Sequence, residues 1–541
     1  MAIDQEERKP EGSSSPQSEL GSAWNPKANP WLIAFVVSLG AFMEVLDTSI
    51  ANVALPHIAG NMGASSDEST WVLTSYLVSN AIILPASGWL VSLLGRKQFF
   101  LICLVVFTLS SLACGIAPSL PILLMARVVQ GAGGGGLQPM SQAILADSFP
   151  PAKRGLAFSI YGVTAVLAPA IGPTLGGWIT DNYTWRWIFL MNLPVGILAC
   201  FLVFTFVEDP SFLQRATLRE NKIDYIGFGL LTIGVAFLQI VLDKGQEVDW
   251  FGSQFIVILS VVSLICMTSL VMWELHVKNP ILDFRLFTNG NFANSCLIMF
   301  MVGAASFSTT VLMPQFLQTL MGYSAQTAGM VLSAAGGVLL IALPLVGQLT
   351  GRIQARYLMA FGWAILAIAM FVSTRRIDLQ ISFASATWLR IVQYVPIPFI
   401  FIPATLVAYL GIPREKSNAV AGWVNFVSNM GSSVGTSAVT TILARRAQVH
   451  QVMLSSYTNL GNSPFRGAAA ALTDRLNRGA VRDPQLQAYR RLYDSMQNQA
   501  LTLSYIDAFW ILGVAAVIMF LLSFLLRKNN PRAQRASAVA H

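Results

Sequence analysis

The sequence predicts an all-α integral membrane protein of fourteen transmembrane helices, and three observations carry that prediction: composition, the length of the apolar runs, and the placement of basic residues. Of 541 residues, 54% are hydrophobic and only 11% charged, with a mean hydropathy of +0.60. Soluble domains carry about 25% charged residues, so this chain lacks the charge to cover a water-facing surface of its size and must use lipid as solvent. A soluble enzyme is excluded. The five cysteines (Cys103, Cys114, Cys200, Cys266, Cys296) lie in apolar runs without metal-site spacing, and the four histidines are scattered, so neither a disulfide framework nor a metal centre is expected.

Residues 1–29 are polar, rich in Ser, Pro and Glu, and lack the apolar core of a secretion signal; they read as a disordered cytoplasmic tail. Apolar runs follow, and roughly 20 helical residues at 1.5 Å each cross a 30 Å hydrocarbon layer. The expected spans are 31–54, 70–94, 99–117, 121–146, 156–180, 186–207, 224–243, 254–273, 292–319, 327–349, 357–373, 386–411, 417–443 and 505–526. Lipid offers backbone amides no partner, so the runs must be helices; barrel strands would be short and alternating. Basic residues stay on the cytoplasmic side during insertion. With both termini inside, twenty Lys and Arg fall in inside segments, against Lys244, Arg375 and Arg376 in the short outside loops and Arg186 at a span edge. The eight basic residues of the loop 444–504 do not count against this, because long loops translocate regardless of charge. The orientation also accounts for the net charge of +8, leaving nothing for a nucleic-acid partner to explain.

The chain also repeats itself. GWLVSLLGRK (Gly88–Lys97) is echoed by GQLTGRIQAR (Gly347–Arg356), and Gly347 lies 259 positions after Gly88. RVVQ at Arg127 returns as RIVQ at Arg390, 263 positions on, and the segment ending at Gly172 returns at Gly431, 259 positions on. These offsets pair spans 1–6 with spans 9–14 and leave spans 7 and 8 as an insertion. The predicted organisation is a tail (1–29), an N-terminal six-helix bundle (30–207), two inserted helices with linkers (208–290), a C-terminal six-helix bundle (291–526) that includes the extracytoplasmic loop 444–504, and a second cytoplasmic tail (527–541). Repeated helical halves facing each other across a central site are the architecture of secondary transporters.

Ionisable residues deep in a span are functional candidates by default, and they are few. Glu44 and Asp47, three residues apart on one face of span one, are the only deep carboxylates; Asp224, Asp243, Glu274 and Asp507 sit at span ends, where water or headgroups reach them. Two carboxylates this close titrate as a coupled pair, which suits a proton carrier. Arg127 in span four and Arg390 in span twelve are permanent cations that must find a carboxylate, carbonyl or water; Arg127 is expected to stabilise an ionised Asp47 or Glu44 in one conformation and release it in another. Gly131–Gly136 spell a formal GxGxxG, but inside an apolar span with no strand before it, so close helix packing replaces dinucleotide binding. There is no GxxxxGK[ST] loop for ATP hydrolysis and no HExxH for a metal-dependent membrane enzyme. Gly88, Gly95, Arg96 and Lys97, together with Gly172, Pro173, Gly176 and Gly177, are candidate conformational residues: the glycines for close approach, Pro173 for a loosened helix. Gln138, Gln142, Gln315, Gln318, Trp388, Arg390, Tyr394, Asn425 and Phe426 are candidates for lining a cavity that accepts amphipathic molecules. In the loop 444–504, Asp483 and Pro484 predict a capped helix with Tyr489, Leu492, Tyr493, Met496 and Leu503 on one face.

LDTSIANVALP (Leu46–Pro56), GWLVSLLGRK, RVVQGAGGG (Arg127–Gly135) and APAIGPTLGG (Ala168–Gly177), in this order on spans one, two, four and five, resemble the fourteen-span drug:proton antiporters of the major facilitator superfamily, the EmrB/QacA-type branch. WRWIFLMNLPVG (Trp185–Gly196) and LDKGQEVDWF (Leu242–Phe251) extend the resemblance over essentially the whole chain. It implies two six-helix bundles plus two extra central helices, export of amphipathic or lipophilic drugs by alternating access, a proton-coupling role for Asp47 and Arg127, and no cofactor. One departure stands out: Ser92, and Gly351 in the second copy, occupy the position where the family's loop motif carries an acidic residue. The long loop before the last span implies a periplasmic adaptor and an outer-membrane channel as partners, with the chain in the inner membrane. A dedicated exporter of a lipid, siderophore or metabolite on the same fold is the alternative.

Overall fold

A computed structural model describes residues 26–210, 224–277, 280–459, 461–479 and 482–525. Most of both expected tails therefore lies outside the described residues. In chain order the helices are α1 (Pro30–Met62), α2 (Ser66–Leu94), α3 (Arg96–Ile116), α4 (Leu120–Gly134), α5 (Leu137–Ser148), α6 (Pro151–Asn182), α7 (Trp187–Leu190), α8 (Asn192–Phe206), α9 (Tyr225–Lys244), α10 (Gln254–His276), α11 (Gly290–Thr319), α12 (Ala325–Leu349), α13 (Ala355–Arg376), α14 (Phe383–Tyr394), α15 (Ile397–Ala408), α16 (Ser417–Ser455), α17 (Ser463–Arg478) and α18 (Pro484–Leu522). No strand occurs among the described residues.

Among the described residues, thirteen segments are long and apolar enough to cross a membrane, and they coincide with thirteen of the expected spans. The fourteenth, at 417–443, forms the first two-thirds of α16; its Ser, Asn and Gly content makes it less apolar than the others, and its inner face is buried against α11, α2 and α18. Two spans are broken at equivalent points of the repeat. Span four divides at Gly135–Gly136 between α4 and α5, and span twelve at Val395–Pro396 between α14 and α15. Pro173, expected to loosen span five, sits with Pro169 inside α6, which runs through both without interruption. Each proline still removes one backbone donor.

The two halves pack alike. In the first, α1 lies against α6 and α3 against α8; in the second, α11 lies against α16 and α13 against α18. The halves meet along α6 with α12 and α2 with α16. Glycines permit these contacts: a Cβ on Gly88 of α2 would lie 2.9 Å from the Cα of Ala419 on α16, and one on Gly155 of α6 would strike the Thr350 hydroxyl beyond α12. The inserted helix α9 packs on α10 and also touches both halves. Asp243 and Lys244 at its end hydrogen-bond Thr74 and Thr70 of α2, while Gln239 and Ser433 of α16 exchange two hydrogen bonds of 3.0 and 3.1 Å.

Three expectations are corrected. Glu274 is only 2% exposed and Asp224 only 9%, because the start of α9 and the end of α10 pack together; Trp273 donates its indole N–H to Asp224 at 3.0 Å. The helix after Pro484 does not end before the last span but continues as the 39-residue α18. Asp483 precedes it in a left-handed conformation, φ 52°, and makes no side-chain cap, since that geometry turns the carboxylate away from the first-turn amides.

Candidate functional site

Span one places Glu44 and Asp47 on a common face, as their spacing requires, but the surrounding helices give them different partners. Asp47, 2% exposed, accepts from Arg127 Nη1 at 2.6 Å, from Gln130 Nε2 at 2.9 Å and from Asn192 Nδ2 at 2.7 Å. Arg127 is fully buried; its Nε donates to the Val72 carbonyl at 2.9 Å, and its guanidinium stacks 4.3 Å from the Tyr76 ring. The pair is therefore a buried ion pair whose carboxylate oxygens are satisfied, while Arg127 Nη2 has no partner among the described residues. Among the described residues Glu44, 4% exposed, takes only neutral donors: the Tyr76 hydroxyl at 3.2 Å, Asn80 Nδ2 at 3.1 Å and Gln138 Nε2 at 2.6 Å. Gln138 in turn accepts from the Tyr161 hydroxyl at 3.0 Å. A carboxylate surrounded by neutral donors can gain or lose a proton without breaking an ion pair. Chemically, then, one position holds a buried ion pair and its neighbour, one helical turn away, a buried carboxylate hydrogen-bonded by neutral groups.

The glycines of α4 hold this cluster together. Cβ atoms on Gly131 and Gly134 would strike the Tyr76 carbonyl and hydroxyl, so glycine lets α4 approach α2 closely enough for Arg127 and Tyr76 to stack. Gly172 of α6 faces the Ser49 side chain, and a Cβ on Gly176 would lie 3.0 Å from Ile50 Cγ2; these seat α6 against α1 just beyond Asp47. Gly177 departs from the expectation: a Cβ there would meet nothing within 4 Å, so close packing gives no reason for it.

At the opposite end of α2, Gly95 has φ 80°, a left-handed conformation that favours glycine, and it turns the chain directly into α3. Arg96, 1% exposed, donates to Asp147 at 2.8 Å, to Asn418 at 3.0 Å and to Ser417 at 3.2 Å. Asp147 belongs to the first half, and Asn418 and Ser417 open α16 of the second; the arginine ties the halves at this end. Lys97 instead stays within its own half, donating to the Phe204 carbonyl at 2.6 Å. Ser92 bonds only its own helix, at the Trp89 carbonyl 2.7 Å away. The anionic partner missing at Ser92 is supplied by Asp147.

Of the cavity candidates, Gln142 and Asn425 pair reciprocally across the halves at 3.2 and 3.0 Å, one turn beyond Gln138. Arg390 and Tyr394 stack at 3.9 Å. Phe426 packs at 5.9 Å from Trp423 in the core of the second half, and Gln315, Gln318 and Trp388 are exposed, apart from these clusters. Sequence reading missed Gln130, Asn192, Asn80 and Asp147. The first three are uncharged residues within apolar spans, a type that usually only packs, and the last lies one residue past the predicted end of span four. Gly431–Gly435 also spells a formal G-x-S-x-G, but Ser433 sits mid-helix and bonds Gln239, with none of the strand–turn–helix setting a nucleophile requires. No cluster of metal-ligating residues occurs among the described residues.

An ion pair and a second carboxylate buried inside one of two repeated transmembrane helical halves are the features of a secondary transporter. Residues 37–436 match the profile of the Major Facilitator Superfamily, and the chain belongs to that family as a multi-pass membrane protein. It is 36% identical over 494 residues to the Multidrug export protein EmrB of Escherichia coli (strain K12), covering 91% of this chain and 94% of that one. It is 34% identical over 444 residues to the Fatty acid resistance protein FarB of Neisseria gonorrhoeae, covering 82% and 86%. Among solved structures, the human organic anion transporter MFSD10 superimposes with a TM-score of 0.58 at 13% identity, covering 92% of this chain and 100% of that one. The proton:xylose symporter XylE gives 0.57 at 15%, covering 93% and 97%. These two likenesses establish the fold alone.

Proposed function

We propose that this protein is a proton-coupled secondary active exporter of amphipathic or lipophilic compounds, drugs among them, working by alternating access and not an enzyme. The observation that carries the reading is Glu44, buried mid-span among neutral donors, one turn from the buried Asp47–Arg127 pair. Substrate enters from the cytoplasm or inner leaflet and displaces the proton on Glu44; the halves rock, and a proton from outside resets the carboxylate. Asp47 and Arg127 form the fixed pair whose rearrangement links protonation to shape. One charge falling through about 100 mV releases roughly 2.3 kcal/mol, enough for a gradient of about fifty-fold.

In this reading the protein sits in the inner membrane with both termini cytoplasmic, its first bundle spanning 30–207, the inserted pair 208–290 and the second bundle 291–526. The Arg96 network closes the cytoplasmic end. The helical projection formed by the far ends of α16 and α18 with α17 faces the periplasm, where it meets an adaptor that leads to an outer-membrane channel.

Reconstituted vesicles carrying an imposed proton gradient test the proposal. Wild type should move several lipophilic compounds against their gradients, and Glu44→Gln, which mimics the protonated carboxyl once the facing Gln138 amide turns over, should fold normally and lose gradient-driven movement by at least tenfold. Undiminished driven transport by Glu44→Gln would sink the assignment.

A further inference from the structure

The second half contains a copy of the Asp47–Arg127 site in which the carboxylate is missing. Thr310 lies 263 positions after Asp47, Arg390 263 after Arg127, and Gln393 263 after Gln130. The contacts repeat as well. Arg390 Nη2 donates to Thr310 Oγ1 at 2.9 Å where Arg127 Nη1 donates to Asp47 at 2.6 Å, and Gln393 bonds Ser373 at 2.9 Å where Gln130 bonds Ser111 at 2.7 Å. One thing differs. Asp47 has become a hydroxyl, and among the described residues Arg390 forms no ion pair although it is only 2% exposed.

Among the described residues its Nε and Nη1 have no acceptor, and neither has the nearby Ser306 hydroxyl found one. The stacked Tyr394 ring at 3.9 Å offsets part of the charge but supplies no counter-ion. A rotation of Gln393, whose Oε1 is also unpaired, adds an acceptor and again no charge. A guanidinium cannot neutralise itself by losing its proton, and an uncompensated cation in a transmembrane bundle is strongly disfavoured. Water can supply an acceptor here, but only a ligand that carries charge supplies the missing counter-ion.

We propose that Arg390, with the hydroxyls of Thr310, Ser306 and Tyr394, is a binding site for a monovalent anion that takes the place Asp47 holds in the first half. The unpartnered Nε and Nη1 of the planar guanidinium fork and the unpartnered Ser306 hydroxyl suit a carboxylate, carried on an amphipathic organic acid, while Thr310, which donates to the Ser306 carbonyl at 2.8 Å and bonds Tyr394, frames the site; a small inorganic anion such as chloride shares the same chemistry. The proposal extends the exporter reading, since it gives the transporter an anionic class of substrate recognised in the half opposite Glu44.

The test uses the full chain in nanodiscs, with decanoate, its uncharged analogue decanol, and chloride as probes. Thr310→Asp builds the counter-ion into the protein and should raise the unfolding midpoint while weakening decanoate binding at least tenfold; Thr310→Ser should bind as wild type. Arg390→Gln should also lose decanoate, and decanol should not distinguish any of the variants. Chloride that competes with decanoate in wild type, but does not stabilise Thr310→Asp, identifies an inorganic source; indifference to chloride identifies the organic acid. Wild type and Thr310→Asp binding both anions equally, or neither, would leave a hydrated arginine only and overturn the proposal. Proton release on adding a lipophilic cation, tetraphenylphosphonium, that is lost in Glu44→Gln but kept in Thr310→Asp keeps this outcome separate from failure of the exporter reading.

Discussion

Replacing Asp147 by Asn should open the end of the protein that the Arg96 network ties. The pair it forms with Arg96 has side chains 3% and 1% exposed and a 2.8 Å separation, so it is not a surface ion pair, which would contribute about 0–1 kcal/mol. Removing one partner of a buried pair costs about 3–5 kcal/mol, because the other charge is left uncompensated. Here that penalty falls on the closed arrangement alone: when α16 swings away, carrying Ser417 and Asn418 with it, water reaches Arg96. Even about 3 kcal/mol corresponds to roughly a hundredfold shift toward the open form. Spin labels at Lys153 on α6 and Glu415 just before α16, both exposed, report the separation of the halves at this end. The variant should populate a longer distance that is rare in wild type, and Asp147→Glu should restore the short one. An unchanged distance distribution in Asp147→Asn would refute the claim that this network holds the end closed.

Other consequences follow from the same geometry. Asp47→Asn leaves Arg127 buried without its counter-charge and should lower stability by about 3–5 kcal/mol, read by denaturation in detergent, whereas Glu44→Gln should change stability by less than about 1 kcal/mol, because its partners are neutral. Gly88→Ala drives a methyl to within 2.9 Å of the Ala419 backbone and should cost about 1–3 kcal/mol through forced separation of α2 and α16; Gly177→Ala, facing open space, should be neutral or gain up to about 1 kcal/mol in helix propensity, and thermal unfolding of the two variants distinguishes them. A double-mutant cycle with Gln142→Ala and Asn425→Ala should show a coupling of about 0.5–3 kcal/mol in the opening equilibrium, because each amide satisfies the other across the halves.

Much of this architecture was legible in the sequence because membranes penalise exceptions. A Glu, an Asp or an Arg in an apolar run announces itself, and Glu44, Asp47 and Arg127 do converge. The repeat offsets were legible too, and they relate the two halves residue by residue. What stayed hidden were partners whose signal is weak alone. Asn192 and Gln130 are single amides in apolar spans, and only the folded bundle shows that both bind Asp47. Asp147 sits just past a predicted span, where a carboxylate normally meets water, yet α16 packs over it and buries it. The division of labour between the two carboxylates was equally invisible, since spacing shows that they share a helical face but not which of them a neighbouring helix supplies with a cation. The continuity of α18 was missed because its polar first half, with charges at Arg490, Arg491 and Asp494, reads as loop when membrane thickness sets the expected length.

Proton release from the purified, detergent-solubilised protein on adding tetraphenylphosphonium tests the central claim most directly, since it isolates the competition at Glu44 from the membrane potential and from any partner. In weakly buffered solution with a pH indicator, wild type should release protons in proportion to bound compound, and Glu44→Gln should bind the compound and release none. Equal release by both proteins would contradict the account and place the transported proton elsewhere.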